Sequence, residues 1–299
     1  MRTGWLTLPE GRIETAWWGP GPEAAPTIVL LHEGLGCVAL WRDVPEHLAA
    51  RTGLGVFAYS RHGYGQSDPV TLPRPMTYMH NEAQVVLPLV LAQAGVRDAV
   101  LVGHSDGGSI AAIYAGTAGR RSTSPAVSWP GLSRPPTTSD AAGRRRGWLA
   151  SARHDGSPNL RILITIAAHF FVEDLNIASI RAIKAAYETG DLRDRLSRYH
   201  RDPDIAFYGW NGAWLDPRFR GFDITGYLPT VAVPTLGLQG ADDPYGSDQQ
   251  LHAMRAHITA PVETVLIPAA RHSLHLEAKE ATLETITRFI AATVRHPVP

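Results

Sequence analysis

A chain of 299 residues, 44% of them apolar and 19% charged, is long enough to bury a sizeable core as one large α/β domain or two small ones. Lysine plus arginine balances aspartate plus glutamate at 28 each, which leaves no net field to draw in nucleic acid or anionic lipid, so a small-molecule partner is expected, with no nucleic acid and no membrane. The single cysteine, Cys37, excludes an intramolecular disulfide and a thiolate-rich metal site; the N-terminus lacks the apolar core of a signal peptide and no apolar run approaches about 18 residues, so the expected location is cytoplasmic.

Strands alternate with helices along the chain, the pattern of a mostly parallel sheet covered on both faces. Residues 5–18 read as a hairpin turning at Pro9-Glu10-Gly11. The β-branched and leucine run 27–31 reads as a buried strand, followed by a helical stretch over 39–51 and a strand over 54–59. Helix 79–94 leads into strand 98–103 and then a small-residue helix over 106–116. Strand 160–167 resumes the sheet, 234–239 and 262–267 complete it, and a helix over 276–294 carries an apolar stripe at Leu283, Ile286, Phe289 and Ile290.

Two segments interrupt this alternation. Residues 117–158 are rich in Arg, Ser, Pro and Gly, with too little apolar periodicity to bury themselves, and are expected to be a flexible insertion. Residues 170–228 form a helical excursion with helices over 176–189 and near 191–200, then a dense aromatic run that includes Trp210 and Trp214. Between two strands of such a sheet it is expected to be a lid over a pocket, an ordinary small core being the alternative. The expected division is therefore a core of 1–169 and 229–299, interrupted by 117–158, with a lid of 170–228.

The segment Gly103-His104-Ser105-Asp106-Gly107-Gly108 matches G-x-S-x-G between a predicted strand and a predicted helix. A serine held on so sharp a turn exposes its Oγ but brings the strand and helix backbones together. Side chains two residues before and after Ser105 would collide, and glycines occupy both positions. Ser105 is the candidate nucleophile.

Just after the first core strand stands His32-Glu33-Gly34-Leu35-Gly36. With this loop and the serine turn, the chain resembles the α/β-hydrolase superfamily over about residues 5–295, apart from 117–158. The resemblance implies an α/β-hydrolase fold, with a mostly parallel central sheet, flanking helices and a helical lid. It implies an oxyanion hole made by the backbone N–H groups of Gly34 and of Asp106, the residue after the nucleophile. His32 is implied to brace the loop. Ser60-Arg61-His62-Gly63-Tyr64-Gly65-Gln66-Ser67-Asp68 resembles an architectural turn of the family, which leaves His62 outside the chemistry. Glu33 stands where the family commonly has glycine. Glu33 and Arg61 lie at the ends of neighbouring predicted strands, and an ion pair between them is one expectation, both reaching solvent the other.

Two further turns supply the remaining groups. Gly240-Ala241-Asp242-Asp243-Pro244 follows strand 234–239, and the family's Gly-x-x-Asp turn selects Asp243 over Asp242 as the acid that orients the base. Glu173 or Asp174, near the preceding strand end, is the alternative source. Ala270-Arg271-His272-Ser273 resembles the family's histidine loop and makes His272 the general base, with His275 the neighbouring competitor. The order Ser105, Asp243, His272 is that of the superfamily.

The resemblance implies a serine hydrolase that needs no cofactor and no metal, acting on a small or medium carboxylic ester through an acyl-enzyme. Glu33, Trp210 and Trp214 are the expected substrate contacts. Cleavage of a carbon–carbon bond in a diketone, or of a thioester or lactone, is the alternative of the same fold. A ligand receptor without turnover is the alternative of another class, and a damaged triad would be its mark. Cys37 is expected to be a small buried hydrophobe.

Overall fold

The computed structural model describes residues 1–123 and 158–295. Among the described residues, eight strands form one sheet in the order β1-β2-β4-β3-β5-β6-β7-β8. β1 (Arg2–Leu8) and β2 (Gly11–Trp18) make the expected hairpin, and β2 runs antiparallel to β4 (Gly55–Tyr59). From β4 through β3 (Thr27–Leu31), β5 (Asp98–His104), β6 (Asn159–Ile166), β7 (Thr235–Gly240) and β8 (Val262–Ile267), every pairing is parallel.

The unbroken apolar runs of the central strands follow from burial on both faces. In β3, Val29 and Leu31 enter one core while Ile28 and Leu30 enter the other. In β5, Leu101 faces the first and Val100 and Val102 the second. The first core is covered by α2 (Tyr78–Asn81), α3 (Leu87–Gln93) and α4 (Asp106–Thr123), the second by α1 (Val44–Thr52). The stretch read as one helix over 79–94 is α2 and α3 joined by a π-helical turn, Glu82–Val86.

α4 continues past Gly116 to Thr123. Gly116 and Gly119 let it lie against the backbone of the 3₁₀ turn Thr225–Thr230, where Thr230 Oγ1 donates to the Gly116 carbonyl at 2.8 Å. Residues 124–157, the rest of the expected insertion, lie outside the described residues.

Between β6 and β7 come α5 (Asp174–Thr189), α6 (Leu192–Leu196) and α7 (Pro203–Leu215). After β7 follow α8 (Gln249–His257), the short α9 (Leu274–Glu277) and α10 (Lys279–Arg295), whose Leu283, Ile286, Phe289 and Ile290 close the second core. None of the described helices is long and apolar enough to cross a membrane.

The chain steps from β3 outward to β4 and then back across to β5, so the loops after β3 and β5 leave the sheet in opposite directions. A crevice opens between them at the carboxyl ends of the strands, the usual position for a ligand in such sheets. The loops after β3, β5, β6, β7 and β8 all converge there.

Candidate active site

Ser105 links β5 to α4 with φ of 52°, a left-handed conformation rare for a residue with a side chain. A Cβ on Gly103 would run into the Gly107 carbonyl, and one on Gly107 would run into the Leu31 carbonyl. Only glycine permits that approach. The turn is held by Ser105 N–H donating to the Ile166 carbonyl at 2.8 Å and by the Gly108 N–H donating back to Ser105 O at 2.8 Å. Asp106 opens α4, and the first N–H groups of a helix have no partner within it.

The loop after β3 is pinned from behind. His32 accepts the Arg61 N–H on Nε2 at 3.0 Å, so its proton is on Nδ1, which donates to the Glu33 carbonyl at 2.7 Å. Arg61, 1% exposed, adds bonds to the His32 carbonyl at 2.5 Å and the Glu33 carbonyl at 3.0 Å. In a trans peptide the N–H points opposite to the C=O. With Glu33 C=O turned to His32 and Arg61, the Gly34 N–H faces the other way, and Gly34 lines the cleft.

The Glu33–Arg61 ion pair does not form: Arg61 takes the backbone carbonyls, and the Glu33 carboxylate turns to His104. Glu33 Oε2 lies 3.3 Å from His104 Nδ1, and His104 Nε2 lies 2.9 Å from the His272 carbonyl. Burial would raise the Glu33 pKa, but the His104 bond and the charge of that ring hold it well below the usual carboxylate range. The Glu33 side chain remains 26% exposed, so solvent screens part of this attraction. His104 thereby ties the serine turn to the loops of Glu33 and His272.

His272 Nδ1 lies 2.8 Å from Asp243 Oδ2 and 3.0 Å from Oδ1. Asp243 also accepts from Gln239 Nε2 at 2.7 Å and from the Tyr245 N–H at 2.8 Å. Burial would push this carboxyl up, but the His272 and Tyr245 bonds leave it below its ordinary value. The neighbouring Asp242 is exposed. Glu173 and Asp174 are engaged elsewhere: Glu173 caps α5 and accepts from Ser247 and Gln250, and Asp174 pairs with Arg220 at 2.7 Å. His275 packs between Trp41 and His104, and burial lowers its pKa to about 3.

Ser105 Oγ lies 3.4 Å from His169 Nε2, a residue after β6 that motif reading passed over. Ser105 and His272 line the same cleft but are not joined by a hydrogen bond in this structure. The only sequence signal for His169 was its place at the carboxyl end of a parallel strand.

Trp210 and Trp214, one turn apart on α7, share a face and line the cleft, which encloses about 450 Å³. Trp210 lies against Gly34, leaving no room for a Cβ. Trp214 Nε1 donates to Asp106 Oδ1 at 3.2 Å, and Tyr78 donates to Asp106 Oδ2 at 2.5 Å. Burial raises the Asp106 pKa, with Arg61 pulling the other way. Ile180, Ile183 and Tyr245 complete an apolar wall, while Arg195, Arg271 and Glu277 stand at the rim. Cys37 is buried, and burial pushes its thiol up to about 12. Among the described residues no group of three or more His, Cys, Asp or Glu is arranged to hold a metal ion.

Residues 28–285 match the family model described as "Alpha/beta hydrolase family". Searching curated proteins gave no match. Many solved structures share the fold. VinJ is 18% identical, covering 98% of this chain and 99% of its own, with a TM-score of 0.67. A thermophilic esterase from Thermogutta terrifontis is 18% identical, covering 98% and 99%, with a TM-score of 0.65. The enol-lactonase from Burkholderia xenovorans LB400 is 16% identical, covering 96% and 100%, with a TM-score of 0.64.

Proposed function

We propose that this chain, which belongs to the alpha/beta hydrolase family, is a serine hydrolase that cleaves a small or medium carboxylic ester through an acyl-enzyme on Ser105. The observation that carries this is Ser105 at φ 52° on the β5–α4 turn, with His272, bonded to Asp243, lining the same cleft. His272 accepts the Ser105 proton as Oγ attacks the ester carbonyl carbon. The oxyanion rests on the N–H groups of Gly34 and Asp106, fixed before charge develops. Collapse of the tetrahedral intermediate breaks the bond to the alkoxy oxygen, which leaves as an alcohol with the proton carried by His272. Water then loses a proton to His272, attacks the acyl carbon and releases the acid.

Catalytic hydrogen bonds without substrate are often long and tighten in the complex, which fits the open Ser105–His272 link. Residues 170–228 act as a lid, since α5 and α7 bring Ile180, Ile183, Trp210 and Trp214 over Ser105. Their apolar surface favours an apolar acyl or alcohol group. Labelling with a fluorophosphonate probe tests the proposal, followed by a panel of acyl esters. Ser105→Ala should abolish labelling and lower kcat about 10⁴-fold or more with the fold intact. Labelling that survives in Ser105→Ala would place the nucleophile elsewhere.

A further inference from the structure

The mechanism above gives His169 no part, yet its ring is the one bonded to the nucleophile. It is 3% exposed, and its two nitrogens face different neighbours. Nδ1 lies 3.3 Å from Asn176 Nδ2, an amide nitrogen that can donate but not accept. That amide is held in one orientation: Asn176 Oδ1 accepts the Glu173 N–H, and Nδ2 also donates to the Tyr245 carbonyl. Flipping it would set oxygen against oxygen and N–H against N–H. Nδ1 of His169 is therefore the acceptor, the ring proton sits on Nε2, and that N–H is directed at Ser105 Oγ.

The residue is also clamped. The Ser109 hydroxyl donates to the His169 carbonyl at 2.6 Å, Trp214 packs edge-on at 5.2 Å, and the His272 ring stacks at 5.7 Å. Burial, aided by the nearby His272, lowers its pKa to about 3. No carboxylate bonds to its Nδ1, unlike that of His272, and burial outweighs the pull of the nearby Asp243 charge toward an imidazolium.

We propose that His169 is a further catalytic residue, a neutral imidazole whose Nε2–H donates to Ser105 Oγ and stabilises the negative charge on that oxygen as it attacks and as it departs. This rests on the serine-hydrolase mechanism above. The proton inventory is unchanged. In deacylation, water gives its proton to His272, the new C–O bond forms, the C–Oγ bond breaks, and His272 returns the proton to Oγ. His169 keeps its proton throughout. Oγ carries most charge at bond making and bond breaking, so the interaction strengthens in the transition state and appears in kcat rather than KM.

The test compares His169→Leu and His169→Gln in the full chain, with fluorophosphonate labelling rates and steady-state hydrolysis of p-nitrophenyl butyrate. Glutamine carries an amide N–H near the position of Nε2 but is no base. His169→Leu should lower kcat by about 10- to 100-fold with KM little changed, the usual size for one hydrogen bond to a charged group. His169→Gln should recover most of the loss. Wild-type kcat in His169→Leu, or a glutamine variant as inactive as His272→Ala, would overturn the proposal, the second by making His169 a proton acceptor. If the leucine variant does not fold, ¹⁵N NMR of the wild-type imidazoles decides: the Nε2–H tautomer of His169 between about pH 5 and 8 supports the proposal, and the Nδ1–H tautomer overturns it. A wild-type chain that takes no probe would refute serine hydrolysis itself. A labelled wild type with an unaffected His169→Leu removes the His169 role alone.

Discussion

Asp243→Asn tests the orienting acid, and the structure sets what it should cost. Asp243 Oδ1 accepts from the Tyr245 N–H, while Oδ2 accepts from both Gln239 Nε2 and His272 Nδ1. An amide has one oxygen for these two places. With that oxygen toward Tyr245, the NH₂ meets the Gln239 NH₂, which is held in place by the Gly246 carbonyl at 2.9 Å. His272 Nδ1 then sits 2.8 Å from that NH₂ and 3.0 Å from the oxygen, and the nearer contact favours a ring that offers its Nδ1 lone pair and carries its proton on Nε2, where it cannot accept one from Ser105. With the oxygen reversed, the tautomer is correct, but the NH₂ faces the Tyr245 N–H, at a cost of about 1–3 kcal/mol for an unsatisfied buried group. In both cases the imidazolium loses its counter-charge in a site where Asp243 is 7% exposed. The expected fall in kcat is about 10³–10⁴-fold, or roughly 4–5.5 kcal/mol at about 1.36 kcal/mol per decade. Steady-state ester hydrolysis and the fluorophosphonate labelling rate measure it, with thermal melting as the control for folding. Activity within tenfold of wild type, joined to a crippled Glu173→Gln, would refute the assignment and move the acid to the strand before.

The strained turn predicts a stability difference between two inactive variants. Ser105→Gly should be about 0.5–1 kcal/mol more stable than Ser105→Ala, because a left-handed residue with a Cβ costs about 1–2 kcal/mol and glycine's backbone entropy offsets about half. Equal urea midpoints for the two would remove the strain. Glu33→Gln should cost about 1.5 kcal/mol at pH 7, the low end for a hydrogen bond to a charged group because the side chain is 26% exposed. The Glu33 carboxyl is depressed in the folded protein, so its stabilisation is complete above its unfolded pKa of about 4.3 and fades as pH falls toward the folded value. Urea midpoints taken from pH 7 downward should therefore show the gap between Glu33→Gln and wild type narrowing below about pH 4, whereas a constant gap would contradict the His104 pairing.

The features legible in the sequence are those set by short-range sterics and by strand ends. Gly103 and Gly107 announce the sharp turn because the collision they avoid lies within a few residues of Ser105, or on the adjacent strand. Asp243 and His272 were expected from the resemblance to the superfamily, whose acid and histidine turns follow apolar strand runs, and the family's Gly-x-x-Asp turn separated Asp243 from Asp242. The alternating cores of β3 and β5 follow from their continuous apolar runs, once helices are expected on both faces. Helix α4 outran its small-residue signal because its docking partner, the turn at 225–230, lies more than a hundred residues away.

Only the tertiary structure decided which polar group meets which. Glu33 and Arg61 stand at the ends of adjacent strands, and nothing in their spacing says that the guanidinium would take backbone carbonyls while the carboxylate crossed to His104, 71 residues on. His169 became visible beside Ser105 only when β6 was seen to lie next to β5, and its tautomer only when α5 brought Asn176 to its Nδ1. A hydrogen bond is decided within a few tenths of an ångström and by the direction of a lone pair. Hydrophobic periodicity locates strands and helices, but those last distances are set by strand order and by how each loop leaves the sheet.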